Sequence, residues 1–340
     1  MRNKTVNMAA VINIGANLVK MRVSKLENDE LVDIDNLEKP INVGHEIFND
    51  KKISFETLRE ISKILGDYSQ ICKEYGITNY KVIADTLLKE AENCDYVIDQ
   101  LKIQNNMLVE IFEDRQEKSL IYFEMINKIE KYCLKETKNT LFSYIDAGSI
   151  GLALCDDGDM FFSQNISMGT VKLHDILEPV QEKIIDFHQV LEEYVNRMLE
   201  RVELPREKTS IKNLVISSVE LELISRLMKV EQKEGVYVIK ADIIEKFYSE
   251  INTLTASMIS SKYNITMNEA EMIFISLTIY LRILKLTNSR QIMCPKTELL
   301  DAVIRQLLSP KMALLYEEHV RRSAINCAKT LAKKFYFSKN

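Results

Sequence analysis

Apolar and polar positions form three short runs over residues 8–36, with Asn28-Asp29 as the turn before the third, and they predict three strands. Ser54 then precedes a stretch in which Leu58, Ile61, Ile64, Leu65, Tyr68 and Ile71 recur at helical spacing. It predicts a helix from 55 to about 75, stopped by Gly76. A buried strand is expected at 80–84. A helix opening at 86–93 continues or restarts at 96–101, followed by a strand at 107–112 and a long helix from about 114 to 134. The second half replays this order. Three strands are expected across 141–168, then helices over about 171–202 with a break at Pro179, a strand at 214–217 and a helix at 219–228. An extended piece at 237–239 precedes helices over about 241–262 and 267–287 and a strand around Gln291-Ile292-Met293. A helix over 298–308 ends at Pro310, and a last one runs from about 312 to 337.

The stretch Phe142 to Leu173 organises this pattern. An apolar strand runs into Asp146-Ala147-Gly148, a second apolar run leads to the polar turn Asp156-Asp157-Gly158-Asp159, and a third strand ends at Gly169. Such a bend can aim backbone N–H groups and a carboxylate at one point, which suits a phosphate and its metal. A weaker copy lies at 9–34, where Asn13 and Gly15 answer to Asp146 and Gly148. Two copies predict an α/β protein of two related lobes facing a cleft, over residues 1–135 and 136–310, with a helical extension at 311–340.

Composition narrows the setting. At 340 residues the chain exceeds one ordinary core, and 46% hydrophobic with 28% charged residues is the mixture of a soluble protein. No apolar run is long enough to span a bilayer and the N-terminus has no signal-peptide pattern, so a cytoplasmic protein is expected. A net charge of −5 gives no footing for nucleic acid, and any anion site has to be local. The six cysteines are scattered without a C-x-x-C pair and read as buried thiols. His45, His174, His188 and His319 are isolated from one another and from cysteine, so none is assigned to a metal. The 156–159 turn lacks the length and closing Glu of a calcium loop and reads as a hairpin turn. P-loop and Rossmann glycine patterns do not occur. Residues 311–340 carry seven Lys or Arg against two Glu; packing on the second lobe, charges in solvent, is the expected use.

The order of motifs resembles the exopolyphosphatase and guanosine pentaphosphate phosphohydrolase family, of the actin-like ATPase fold with two ribonuclease H-like lobes. The family's D-I-G-S-N-S reads here Asn13-Ile14-Gly15-Ala16-Asn17-Leu18, and its A-T-S-A-L-R-E-A-x-N reads 84–93, with Lys89 at the arginine. Its E-E-A-x-L-I-Y segment is similar to 116–122, and its D-I-G-G-G-S-T-E loop to 146–153. L-G-x-V-R-L is nearly intact as Met168-Gly169-Thr170-Val171-Lys172-Leu173, and the later glycine pair has become Ser217-Ser218.

The resemblance implies a magnesium-dependent hydrolase of terminal phosphoanhydride bonds, acting on polyphosphate or on guanosine pentaphosphate or tetraphosphate, without nucleic-acid or membrane partners and with a homodimer as one possible assembly. It implies Glu117 as catalytic base, Asp146 and Asn13 as metal residues, and Gly15, Asn17, Lys89, Gly148 and Ser149 as phosphate-binding residues. The departures are substantial. Asn13 replaces an aspartate, Ala16 and Leu18 replace hydroxyl donors, Ile150 a glycine and Ala153 a glutamate, and Lys89 keeps the charge of arginine without its planar fork. They favour a weak or inactive member, with a phosphate-ligand-binding or regulatory protein of the same fold as the alternative. Taken alone, Asp146 also fits the cap of a turn, Glu117 an exposed surface acid, and Lys89 with Glu90 a solvated helix face.

Overall fold

A computed structural model describes residues 7–28, 30–133, 138–181, 187–205 and 210–334. The chain divides into two compact units, Met1–Ile121 with Glu298–Glu317, and Tyr122–Thr297 with Glu318–Asn340.

In the first unit β1 (Met8–Ile14), β2 (Leu18–Glu27) and β3 (Glu30–Pro40) form an antiparallel meander. Helices α1 (Val43–Asp50) and α2 (Phe55–Glu74) lead to β4 (Asn79–Ala84). A 3-10 turn (Thr86–Glu90) and α3 (Cys94–Asn105) lead to β5 (Val109–Ile111), and α4 (Asp114–Cys133) follows. The sheet order is β3-β2-β1-β4-β5, with β4 parallel to β1 and to β5. Alternate residues of β1 and β2 (Ile12, Ile14, Met21, Val23) face Ile61, Leu65 and Tyr68 of α2 in one apolar core. Helix α2 starts where the Ser54 hydroxyl accepts the Thr57 N–H at 3.1 Å, and it stops at Gly76, whose φ of +67° suits glycine.

The second unit repeats the plan. Strands β6 (Thr140–Ile145), β7 (Ile150–Asp156) and β8 (Asp159–Ile166) form the meander, followed by α5 (Thr170–Gln181), α6 (Phe187–Glu200) and β9 (Asn213–Ser218). Then come α7 (Leu221–Leu227), β10 (Gln232–Lys233), β11 (Val236–Lys240), α8 (Ala241–Ile251), α9 (Ala256–Tyr263), α10 (Met267–Leu284) and β12 (Gln291–Pro295). The order β10-β11-β12-β9-β6-β7-β8 contains the five-strand pattern of the first unit, with β6, β9 and β12 parallel. Helix α10 is buried almost all round and packs against α5, α6, α8 and α9. Its start is fixed by a reciprocal cap between Thr266 and Glu269.

Two helices close the chain, α11 (Leu299–Leu308) and α12 (Pro310–Lys334). Helix α11 returns to the first unit and packs on β1 and β2. There the buried Arg22 pairs with Glu298 at 2.6 Å and with Asp301, and the Asn79 amide donates to Leu307 O at 2.7 Å. From residue 318 onward α12 packs on the second unit: Arg322 pairs with Asp159 at 2.9 Å, and His319 is buried beside the Phe123 ring.

The fold is the mixed α/β protein with a duplicated lobe that the pattern predicts, and its departures are local. The 86–93 helix shortens to the 3-10 turn. The expected 241–262 helix is two, because the Thr255 hydroxyl caps a fresh start by accepting the Met258 N–H at 3.3 Å. Helix α5 runs two residues past Pro179 to Gln181, and 182–186 lie outside the described residues. Pro310 opens α12 instead of merely ending α11, because its fixed φ suits a first helical position. Asp157 and Gly158 both have positive φ, at 49° and 80°, between the paired Asp156 and Asp159, so this is the expected two-residue hairpin turn.

Candidate functional site

In each unit the parallel strands deliver their carboxyl ends to one sheet edge, the place where α/β sheets collect ligands. In the first unit Ile14 of β1 pairs with Ala84 of β4, and Ala84 with Ile111 of β5. The turn Gly15-Ala16-Asn17 follows β1 and is closed by Gly15 N–H donating to Leu18 O at 3.0 Å. Its carbonyls are taken by neighbouring backbone, Ala16 O by Gly44 N–H at 2.7 Å and Asn17 O by Ile41 N–H at 2.9 Å. Asp85, just past β4, donates its N–H to Ile14 O at 3.1 Å. Its Oδ2 lies 3.2 Å from where a Gly15 Cβ would stand, so glycine leaves room for this carboxylate. Asp85 is a residue the sequence reading missed; only the β1–β4 register brings it beside Gly15.

Asn13 lies within β1, paired with Lys20 and Ile83, one ladder step back from the turn. Its Oδ1 is buried with no hydrogen bond. Lys89, at the end of the 3-10 turn, bonds Glu113 at 2.9 Å, and both are largely exposed. This contact holds the Glu113 carboxyl below its usual range. The Glu117 N–H donates to Glu113 O at 3.0 Å, so Lys89 meets Glu113 one helical turn ahead of Glu117.

In the second unit the turn Asp146–Ser149 follows β6 beside the end of β9, closed by Asp146 N–H donating to Ser149 O at 3.0 Å. By this closing bond Gly15 occupies the register of Asp146, which offsets by two the pairing of Asn13 with Asp146 expected from sequence. The Asp146 carboxylate serves its own turn. Its Oδ1 accepts the N–H groups of Gly148 at 2.7 Å and Ser149 at 2.6 Å, and its Oδ2 accepts the Ser149 hydroxyl at 2.8 Å. The backbone donors expected to cradle a phosphate are therefore engaged by the carboxylate expected to hold a metal.

Helix α5 locks this turn. Thr170 N–H donates to Asp146 O at 3.1 Å, and the N–H groups of Val171 and Lys172 donate to Ala147 O at 3.1 and 3.2 Å. Gly169 makes the approach possible: a Cβ there would lie 2.1 Å from Asp146 O and 2.4 Å from Ser149 N. The Thr170 hydroxyl bonds Glu220 Oε1 at 3.1 Å. Burial pushes the Glu220 carboxyl up, against the hydroxyls of Ser276, Thr170 and Ser218.

Magnesium requires several oxygen ligands converging on one point. Among the described residues no group of three or more His, Cys, Asp or Glu is placed to hold a metal. The two metal residues implied by sequence do not fit the ion: Asn13 offers a neutral oxygen, and the Asp146 carboxylate is spent on its own turn.

A duplicated α/β lobe with a glycine-bearing turn after its first strand, and Gly169 seating the second turn on a helix, defines a protein of the two-lobed actin-like class. The family model of the Ppx/GppA phosphatase family matches residues 27–306, and the chain belongs to that family. A solved Ppx/GppA family member from Aquifex aeolicus is similar at a TM-score of 0.73 and 15% identity, over 91% of this chain and 98% of that one. An exopolyphosphatase structure from Cytophaga hutchinsonii is similar at 0.68 and 16% identity, over 88% and 97%. No curated protein matches the sequence.

Proposed function

We propose that this protein binds the phosphoryl end of polyphosphate or of guanosine pentaphosphate or tetraphosphate, and that hydrolysis of the terminal anhydride is strongly impaired. Phosphoanhydride hydrolysis rests on positioning, charge neutralisation and a base for the attacking water. Glu117 is our base, Lys89 the cation for the terminal phosphate, and Gly15, Asn17, Gly148 and Ser149 the turn residues that receive it.

The observation that carries the reading is the engagement of Asp146 with Gly148 and Ser149. A phosphate gains those donors only by displacing the carboxylate, whose negative charge opposes its approach. Losing one preorganised donor or charge costs about 10²–10³ in rate, and Asn13, Ala16, Leu18 and Ala153 are further losses. The unpaired buried thiols Cys72, Cys94, Cys155 and Cys294 support a reducing, cytoplasmic setting. No helix among the described residues is long and apolar enough to cross a membrane.

The test measures phosphate release from polyphosphate and guanosine pentaphosphate in Mg²⁺, with binding followed by calorimetry. The proposal expects binding, with slow release from the native protein that Glu117→Gln slows further. Multiple turnovers that Glu117→Gln abolishes would show an active hydrolase instead.

A further inference from the structure

Strand β8 lies at one edge of the second sheet and carries two adjacent phenylalanines, Phe161 and Phe162. Its pairing with β7 steps from Phe162 opposite Leu154 to Met160 opposite Cys155, so Phe161 is the extra residue of a β-bulge. Neighbours in a regular strand point to opposite faces. A bulge re-aims one of them, and here both rings line the same hollow. It encloses about 710 Å³ between β8, the 203–205 loop and the last turns of α12, within the roughly 300–1,000 Å³ usual for small-molecule sites.

Leu204 and Leu331 extend the apolar wall. Both phenylalanines are only half-buried and Leu331 is exposed, so the bulge leaves apolar surface in water. Two charged side chains line the hollow, Glu203 and Lys333. Glu203 is already engaged within the chain, whereas Lys333 is exposed and has no ion pair among the described residues. An anionic head group therefore has a cation to meet, and an apolar tail has walls to cover. A hollow of this volume takes one linear chain, while a folded partner needs about 800 Å² of facing surface.

We propose that this hollow binds a linear-chain carboxylate, its hydrocarbon against Phe161, Phe162 and Leu331 and its head group on Lys333. The site shares no residue with the Asp146 turn, and it stands or falls independently of the phosphate reading.

Calorimetry on the full chain tests it with hexanoate, octanoate and decanoate, each below its micellar concentration. Every added methylene should tighten binding about fourfold. Lys333→Gln should weaken decanoate about threefold and leave decanol unchanged. Leu331→Glu, at an exposed position that spares the fold, should abolish binding of both. Bound decanoate should also protect Cys327, which lines the hollow, from maleimide. No binding, affinity flat along the series, decanoate indifferent to either variant, or Cys327 labelled at an unchanged rate overturns the inference. So does a dimer in sedimentation that Leu331→Glu dissociates, which would give the hollow to a second copy of the chain.

Discussion

Gly169 is the residue on which the second turn depends, because backbone atoms crowd the space that any side chain would enter. Gly169→Ala has no flexible neighbour to displace, and we expect a loss of about 3 kcal/mol or more, read as a lowered urea midpoint. The residue was legible in sequence as part of a nearly intact motif. Lys89 and Asp146 were legible as positions and not as states. That Lys89 spends its charge on Glu113, and Asp146 its oxygens on its own turn, depends on distances a linear pattern does not carry. Asp85 is the converse case, since the β1–β4 register gives the first turn a carboxylate while Asn13 supplies none. If Asp85 repels an incoming phosphate, Asp85→Asn should tighten tripolyphosphate binding severalfold by calorimetry; weaker binding would mean that it supports the site.

Among the elements, the 156–159 hairpin turn and the Ser54 start of α2 were legible because their chemistry is local, whereas the Thr266–Glu269 cap is a finding of the structure. Asp157-Gly158 needs two positive φ values, and Thr266 with Glu269 forms a reciprocal cap. Thr266→Ala should cost about 1 kcal/mol by denaturant titration. The break between α8 and α9 was hidden because apolar spacing continues across a cap that depends on Thr255 alone. Helix α12 carries a pH dependence that composition does not reveal. Burial against the second unit lowers the His319 pKa from 6.5 to about 4, with Asp159 and the Gly158 backbone raising it and Arg322 lowering it. Between those values the unfolded chain holds a proton that the folded chain refuses, so stability falls as pH drops through the window. The loss approaches about 3 kcal/mol only once the pH has fallen below the folded-state value of about 4. Urea midpoints at pH 7 and 4.5 should converge in His319→Gln relative to the native protein.

Across the whole molecule, the duplicated plan was legible from the order of strands and helices, whereas the route of the last segment was not. Basic composition marked residues 311–340 as an extension, but residues 298–317 belong to the first unit. Arg22 ties β2 to Glu298 and Asp301, and Asn79 reaches Leu307 O. Residues 1–121 made alone should therefore show little cooperative unfolding by circular dichroism, and adding a peptide of residues 298–317 should restore it. A ribosome making this chain releases the opening sheet long before the helix that covers β1 and β2. That early segment has to wait through nearly two hundred residues of synthesis with an apolar face and a lone guanidinium exposed, a delay in which a chaperone has most to do.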